Sequence, residues 1–445
     1  MTALTLDDLR PCLEGIIPAM IATCAADGTP NVAYLSQVYY VDRGHVALSF
    51  QFFNKTRQNI LAHPEAALLV LDPQTFVFYR LGIRYLGTQT EGALFESMRA
   101  QLAGIAAHTG AADVFELKGA DLYEVQRIEL VPGDSLPPPP PQRGLLGAAR
   151  RGGELLAGSR SLDEALGAVM RTLQQDLAID YALILLLDPA TQRLYTVASH
   201  GYVRSGVGSE IALGQGVIGM AAQACTPVRI SHMVNASLYS HAARQTLGAP
   251  GPARTDIPYP GLPQPHSQMA VPVGSAGRLL GVVFVESTEE ARFSFEHEDV
   301  LVSLATHLGT TIDLLRQGDG VAPTQAEGPP ELPPSAPSGH LAVHRYRSNN
   351  SIFLGGNYLI KGVAGAIFWK LLQDYLRHGR SEFTNRELRL DPGIGLPDVV
   401  DNLEARLILL ERRLAEQSQP VRLAKTGRGQ FRLCVDARVE ASESE

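Results

Sequence analysis

From Val46 to Arg57 the chain sets out side chains that could hold a phosphate. Val46, Leu48, Phe50 and Phe52 alternate with Ala47, Ser49 and Gln51. That is the period of a half-buried strand, so Ser49 and Gln51 share one face. Asn54 follows as a helix N-cap, and Lys55, Thr56 and Arg57 open a helix that must end before Pro64. A helix start presents unpaired N–H groups and positive partial charge, and a lysine, a hydroxyl and an arginine added there favour an anion. A phosphorylated cofactor is the expected occupant; solvated basic residues at an ordinary helix start are the alternative.

No other constellation competes with it for chemistry. The sequence contains no GxSxG, HExxH or Walker-type loop, and its 12 histidines form no acid-base set. His232, His241 and His266 lack ligand spacing. Cys12, Cys24, Cys225 and Cys434 stand far apart without a CxxC, which suggests neither a zinc site nor a disulfide framework and fits the cytosol. Cys225 reads as a small core residue. Gly214, Gly216 and Gly219 spell GxGxxG, yet PVRISH stands where a dinucleotide fold would place its acidic ribose partner, about twenty residues on. These glycines read instead as a turn that lets a short helix pack on a sheet.

The elements that must carry these residues fall into three units. A chain of 445 residues with 45% apolar and 19% charged residues is globular and too long for one ordinary domain. VPGDSLPPPPPQR is a semi-rigid proline spacer, and QGDGVAPTQAEGPPELPPSAPSG a flexible one. The expected boundaries are 1–133, a linker 134–158, 159–316, a linker 317–339, and 340–438. Net charge is −8, but from His340 onward 16 Lys+Arg face 13 Asp+Glu, so the tail is net basic on an acidic chain. MTALTLDDLRPCLEG lacks the pattern of a secretion signal, and no apolar run approaches membrane-spanning length. The expectation is a cytoplasmic protein with no membrane partner.

Residues Gly15 to Gly133 resemble the pyridoxamine 5'-phosphate oxidase-like split barrels, on PAMIATCAADGTPNVAYLS, the strand-turn-helix ending in HPEAALLVL, and YRLGIRYLGTQTEG. The resemblance implies flavin mononucleotide (FMN) bound by Ser36, Ser49, Gln51, Asn54, Lys55, Thr56 and Asn59, and a homodimer. Two departures stand out. Lys55 is followed by Thr56 where the family usually has adjacent basic residues, and GADLYEVQRIELVPG runs straight into the proline spacer, so the family's substrate-binding C-terminal segment is absent.

The middle unit resembles a GAF domain in the order LDEALGAVMRTLQQDL, YALILLLD, RLYTVASHGY, LGQGVIGMAAQACTPVRISH, SQMAVPVGSAGRLLGVVFVES and FEHEDVLVSLATHLGTTIDLL. That implies a small-molecule ligand whose identity nothing here fixes. Its last helix carries Leu301, Leu304, Leu308, Ile312 and Leu315, either a dimer seam or packing against its own sheet. The tail, with the SIFLGGNYLI hairpin, Thr384 as an N-cap, a long helix from Asp398 to Glu416 and two strands around TGRG, resembles the winged-helix output domain of response regulators. Arg406, Arg413, Lys425, Arg428 and Arg432 become the DNA contacts. A net negative recognition helix is repelled by a duplex, so protein contact is the alternative.

The fold class expected is therefore multidomain α+β: split β-barrel, GAF and winged helix. The function expected is a flavin- and small-molecule-sensing regulator, the alternative being a flavin-dependent oxidoreductase under GAF control.

Overall fold

The computed structural model describes residues 4–13, 19–35, 38–50, 55–109, 117–137, 144–231, 257–318, 339–394, 396, 403–417, 420–427 and 429–445. Ser36, Gln51, Asn54, Arg428, His232 and His241 lie outside the described residues.

The N-terminal unit is one antiparallel sheet of seven strands: β1 (Ala19–Cys24), β2 (Pro30–Leu35), β3 (Val38–Asp42), β4 (His45–Phe50), β5 (Glu65–Leu71), β6 (Phe78–Gln89) and β7 (Gly119–Leu130), in the order β2-β1-β5-β6-β7-β4-β3. Strand β4 is buried on both faces rather than on one: Val46 and Leu48 join the core of Leu68 and Leu81, Ala47 joins a second one with Tyr39 and Ala120, and Ser49 is half-buried. A 3-10 turn, Leu6–Leu13, puts Leu6 and Leu9 into the same core as Ile21, Val38, Leu68 and Leu81. Helix α1 (Lys55–Ala62) stops before Pro64, and α2 (Ala93–Thr109) links β6 to β7.

The middle unit holds α3 (Leu145–Ala157), α4 (Leu162–Arg171), a π-turn Thr172–Asp176, β8 (Tyr181–Asp188), β9 (Arg193–His200), β10 (Glu210–Ala212), α5 (Gly216–Ala224), β11 (Val228–Ile230), β12 (Ser267–Ser275), β13 (Arg278–Ser287) and α6 (Phe295–Gly318). Its sheet runs β10-β9-β8-β13-β12-β11. The leucine stripe of α6 packs inside this unit: Leu301, Leu304, Leu308 and Ile312 are buried with Met269, Val271 and Val273 of β12. Two expectations change here. The stretch before residue 159 is helix as well as linker, because Gly152 and Gly153 let α3 lie against α6; a Cβ on Gly152 would meet Leu304 at 2.4 Å. Cys225 is exposed rather than core, forming the left-handed C-cap of α5 at φ 50°.

The C-terminal unit contains β14 (His340–Tyr346), β15 (Ser351–Leu354), β16 (Asn357–Ile360), α7 (Gly362–His378), β17 (Glu382–Thr384), α8 (Asn385–Leu390), α9 (Leu403–Gln417), β18 (Val421–Gly427), β19 (Gln430–Val435) and β20 (Arg438–Ser444). Gly355 and Gly356 turn the β15-β16 hairpin in left-handed backbone. Thr384 caps α8 in a capping box with Glu387. Strands β17, β19 and β18 form a small sheet beside α9. The unit runs past residue 438, because β20 lies parallel to β14, from His340↔Arg438 to Tyr346↔Ser444.

The glycine triplet does what its turn reading required. Gly214 and Gly216 take φ values of 80° and 63°, and a Cβ on Gly219 would meet the Ala212 carbonyl at 2.3 Å. Gly219→Ala should therefore destabilise the middle unit by about 1 to 3 kcal/mol. A urea midpoint unchanged from wild type would refute this.

Candidate functional site

Among the described residues, two gatherings of polar side chains bear on the expected sites. The first is the foot of α1. Lys55 is exposed at the first turn, where the free amides of the helix lie. Thr56 and Asn59 are buried, and their polar atoms point to the sheet: Asn31 Nδ2 donates to Thr56 Oγ1 at 3.0 Å, and Asn59 Nδ2 donates to Thr23 Oγ1 at 3.1 Å. These bonds pin α1 to β1 and β2. Arg57 reaches across to β7, where its Nη1 lies 2.6 Å from each Asp121 oxygen, while Nη2 donates to Thr88 Oγ1 at 3.0 Å. Tyr85 Oη stands 2.6 Å from the same hydroxyl. Both charges are nearly out of solvent, at 15% and 10% side-chain exposure.

Of the expected flavin residues, the structure thus leaves Lys55 open, half-buries Ser49, and commits Thr56 and Asn59 to the scaffold. Residue spacing could not find the Arg57, Thr88 and Asp121 network, because Asp121 stands on β7, 64 residues along the chain from Arg57. Lys55 and the amides of α1 fit a phosphate; Arg57 neutralises Asp121 and keeps the helix start rigid.

The second place is the seam where α9 lies on the middle unit. Arg406 is 8% exposed, its Nη2 is 2.9 Å from Asp188 Oδ2, and its guanidinium lies 4.4 Å over the Tyr195 ring. Burial alone would raise the Asp188 carboxyl, but the Arg406 charge and the Ala190 N–H hold it below the ordinary aspartate value. Arg412 pairs with Asp163 at 2.6 Å and donates to the Val197 carbonyl. Glu404 accepts from the Leu162 N–H at 3.3 Å, Ser205 meets Glu416, and Lys361 lies 3.4 Å from Glu210. Gly208, at φ 87°, leaves room for Ile257, whose Cδ1 would stand 2.6 Å from a Cβ there, with Leu409 of α9 in ordinary contact beyond. Beneath these pairs, one continuous apolar core includes Leu166, Val197, Leu403 and Leu410.

This places the expected DNA contacts unevenly. Arg406 is buried against the middle unit. Arg413 is also buried and serves its own unit, donating to the carbonyls of Leu359 at 3.0 Å and Tyr358 at 3.3 Å. Arg432 pairs with Glu382 at 2.7 Å, and Lys425 is exposed on β18.

The N-terminal unit also touches the middle one. Helix α2 packs on α5 and β11, with Gln101 Nε2 donating to the Arg229 carbonyl at 3.2 Å. Arg10 lies between the Tyr40 and Phe295 rings, 4.4 and 4.1 Å from their centres.

Residues 5–126 match the family model described as pyridoxamine 5'-phosphate oxidase, and residues 159–313 the GAF domain model. The chain thus carries a pyridoxamine 5'-phosphate oxidase-like unit followed by a GAF domain. No curated protein matches the chain. Similar solved structures include the GAF domain of an Acinetobacter phosphoenolpyruvate-protein phosphotransferase, 23% identical over 40% of this chain and 97% of that one, with a TM-score of 0.33. A free methionine-R-sulfoxide reductase of Neisseria meningitidis with its substrate is 18% identical over 40% and 96%, at 0.32. An FMN-binding protein of Syntrophomonas wolfei is 17% identical over 29% and 86%, at 0.25. Among the described residues no helix is long and apolar enough to cross a membrane.

Two outcomes follow from the geometry. Asp121→Ala would strand Arg57 in a nearly dry site and should cost about 3 to 5 kcal/mol, measurable as a lowered denaturant midpoint; Asp121→Asn should recover part of it. At the seam, Asp188 has a lowered folded pKa. Its stabilisation is complete above the unfolded aspartate range, near pH 4, and is lost as pH falls through the folded value. Melting followed between pH 7 and 3 should show an acid limb that Asp188→Asn weakens; identical limbs would count against the pairing.

Proposed function

We propose that this protein is a flavin- and ligand-responsive regulator, in which the GAF domain relays the state of an N-terminal FMN unit, and of its own ligand, to a C-terminal winged-helix output. The observation that carries the reading is the middle domain's contact with both neighbours: α2 lies on α5 and β11, and α9 lies across β9 and α4. An input and an output joined to one sheet can be coupled by whichever arrangement a ligand binds better. The C-terminal order of sheet, α7, short strand, α8, α9 and a two-stranded turn supports the winged-helix reading, with β18 and β19 as the wing.

FMN would be held by Lys55 and the α1 amides at its phosphate, with Ser49 beside the ring or ribityl chain, while Thr56 and Asn59 position the helix. Bound flavin would supply the redox chemistry, and the protein would position it. Dimerisation through the N-terminal unit belongs to this proposal. The chain is read as cytoplasmic. The alternative, a flavin-dependent oxidoreductase regulated by its GAF domain, is favoured by the match to an oxidase family.

FMN and riboflavin titrations test the site. FMN should bind more tightly, and Lys55→Ala should weaken it about tenfold or more, as loss of a charge-assisted bond of roughly 1.5 to 3 kcal/mol requires. Equal affinity for both flavins would remove the phosphate site. Steady oxidation of a reduced pyridine nucleotide over many turnovers would favour the oxidoreductase; a single flavin reduction without turnover fits the regulator.

A further inference from the structure

We infer that the proline-rich segment just before the C-terminal unit docks on a row of aromatic rings across that unit's own sheet. Strands β14, β15 and β16 turn one face inward, where Val343, Ile352, Leu354 and Leu359 are buried. By the strand period, His344, Tyr346 and Phe353 stand on the opposite face. The ladder pairs His344 with Phe353, and Phe353 with Tyr358. Their rings follow one another edge to face: His344 to Tyr346 at 4.8 Å, Tyr346 to Phe353 at 5.5 Å and Phe353 to Tyr358 at 5.5 Å between centres. None of the four joins the apolar core beneath, and Tyr346 is 41% exposed.

The chemistry of this face selects its occupant. Arg345 alternates inward, its guanidinium 5.6 Å over the Trp369 ring, and on the neighbouring β20 Arg438 shares the outward face with Glu440. Rings without an excess of cations do not suit a polyanion. A polyproline II segment, by contrast, packs on aromatic rings and needs no charge. Residues 319–338 lie outside the described residues and end at Gly339, one position before β14. Their last ten, PPELPPSAPS, place Pro330 and Pro333, then Pro334 and Pro337, at the PxxP spacing. As polyproline II these ten would span about 31 Å. From His340 to Tyr346 along β14 is about 20 Å, so the reach suffices. Gly339, at φ 104°, gives the chain room to turn back over the sheet. Tethering beside the face sets an effective concentration of about 1 mM, so even an intrinsic Kd of about 0.1 mM leaves only about one molecule in eleven undocked.

Two measurements on the full-length chain test this. In the first, Leu332→p-benzoylphenylalanine places a photocross-linker in the segment and leaves every ring of the row native. Irradiation should join it to residues 344–358 of the same chain, located by peptide mass spectrometry. In the second, proteinase K cleavage within residues 319–338 is timed for wild type, Tyr346→Ser and Tyr346→Phe. Loss of the ring in Tyr346→Ser should speed cleavage about tenfold, the ratio that full undocking gives. Tyr346→Phe keeps the ring and should be cut at the wild-type rate. The cross-link is read without touching the sheet, so it decides the matter even where Tyr346→Ser unsettles the fold.

No cross-link, or cross-links confined to other parts of the chain, overturns the docking. A cross-link to residues 344–358 found only at the mass of two chains puts the segment on a second copy and overturns docking within one chain. Equal cleavage of wild type and Tyr346→Ser overturns the role of the rings. Cleavage of Tyr346→Phe as fast as that of Tyr346→Ser makes the Tyr346 hydroxyl the contact and overturns packing on the ring.

Discussion

A guanidinium removed from water must be met by a carboxylate and by other acceptors or rings, and Arg406 imposes that demand between two domains. Asp188 supplies the charge and Tyr195 the ring. Because both lie on the GAF sheet, α9 cannot slide or rotate on it without uncovering a buried charge. The apolar core below the pair supplies most of the attraction, since burial scales with area and carries no direction. The ion pair supplies the direction.

The same division runs through the N-terminal unit. Its core would tolerate α1 at several angles, but Arg57 must reach Asp121 on β7 while Asn59 reaches Thr23 on β1. Two polar tethers to well-separated strands leave one orientation for the helix start. Lys55 consequently stands at a fixed place with its charge outward, which is what an anion site requires of its scaffold.

Local period made much of this legible. The strand from His45 to Phe50, the N-cap at Thr384 and the glycine turns at Gly214 and Gly355 announce themselves within a few residues, because each depends on backbone geometry nearby. What stayed hidden depends on distance or on misleading composition. GLLGAARRGGELLAG looks like more linker, yet its glycines are the contact that lets α3 approach α6. ARVEASESE lacks the alternation of a strand because β20 is a polar edge held by parallel pairing to β14. Asp121 and Asp188 carry no local signature at all; each is defined by an arginine far away in the chain.

A motif therefore names its cations without saying whether each is available to a ligand. In KTR one basic side chain points to solvent and the other neutralises a buried aspartate. On α9 the three arginines divide likewise: Arg413 tied to carbonyls of its own unit, Arg406 and Arg412 answered by another domain. Summed charge treats all of these alike, and over Leu403–Gln417 it comes to three arginines against Glu404, Glu411 and Glu416. Sorted by partner, the arginines of α9 are all committed: Arg406 to Asp188, Arg412 to Asp163, and Arg413 to the carbonyls of Leu359 and Tyr358.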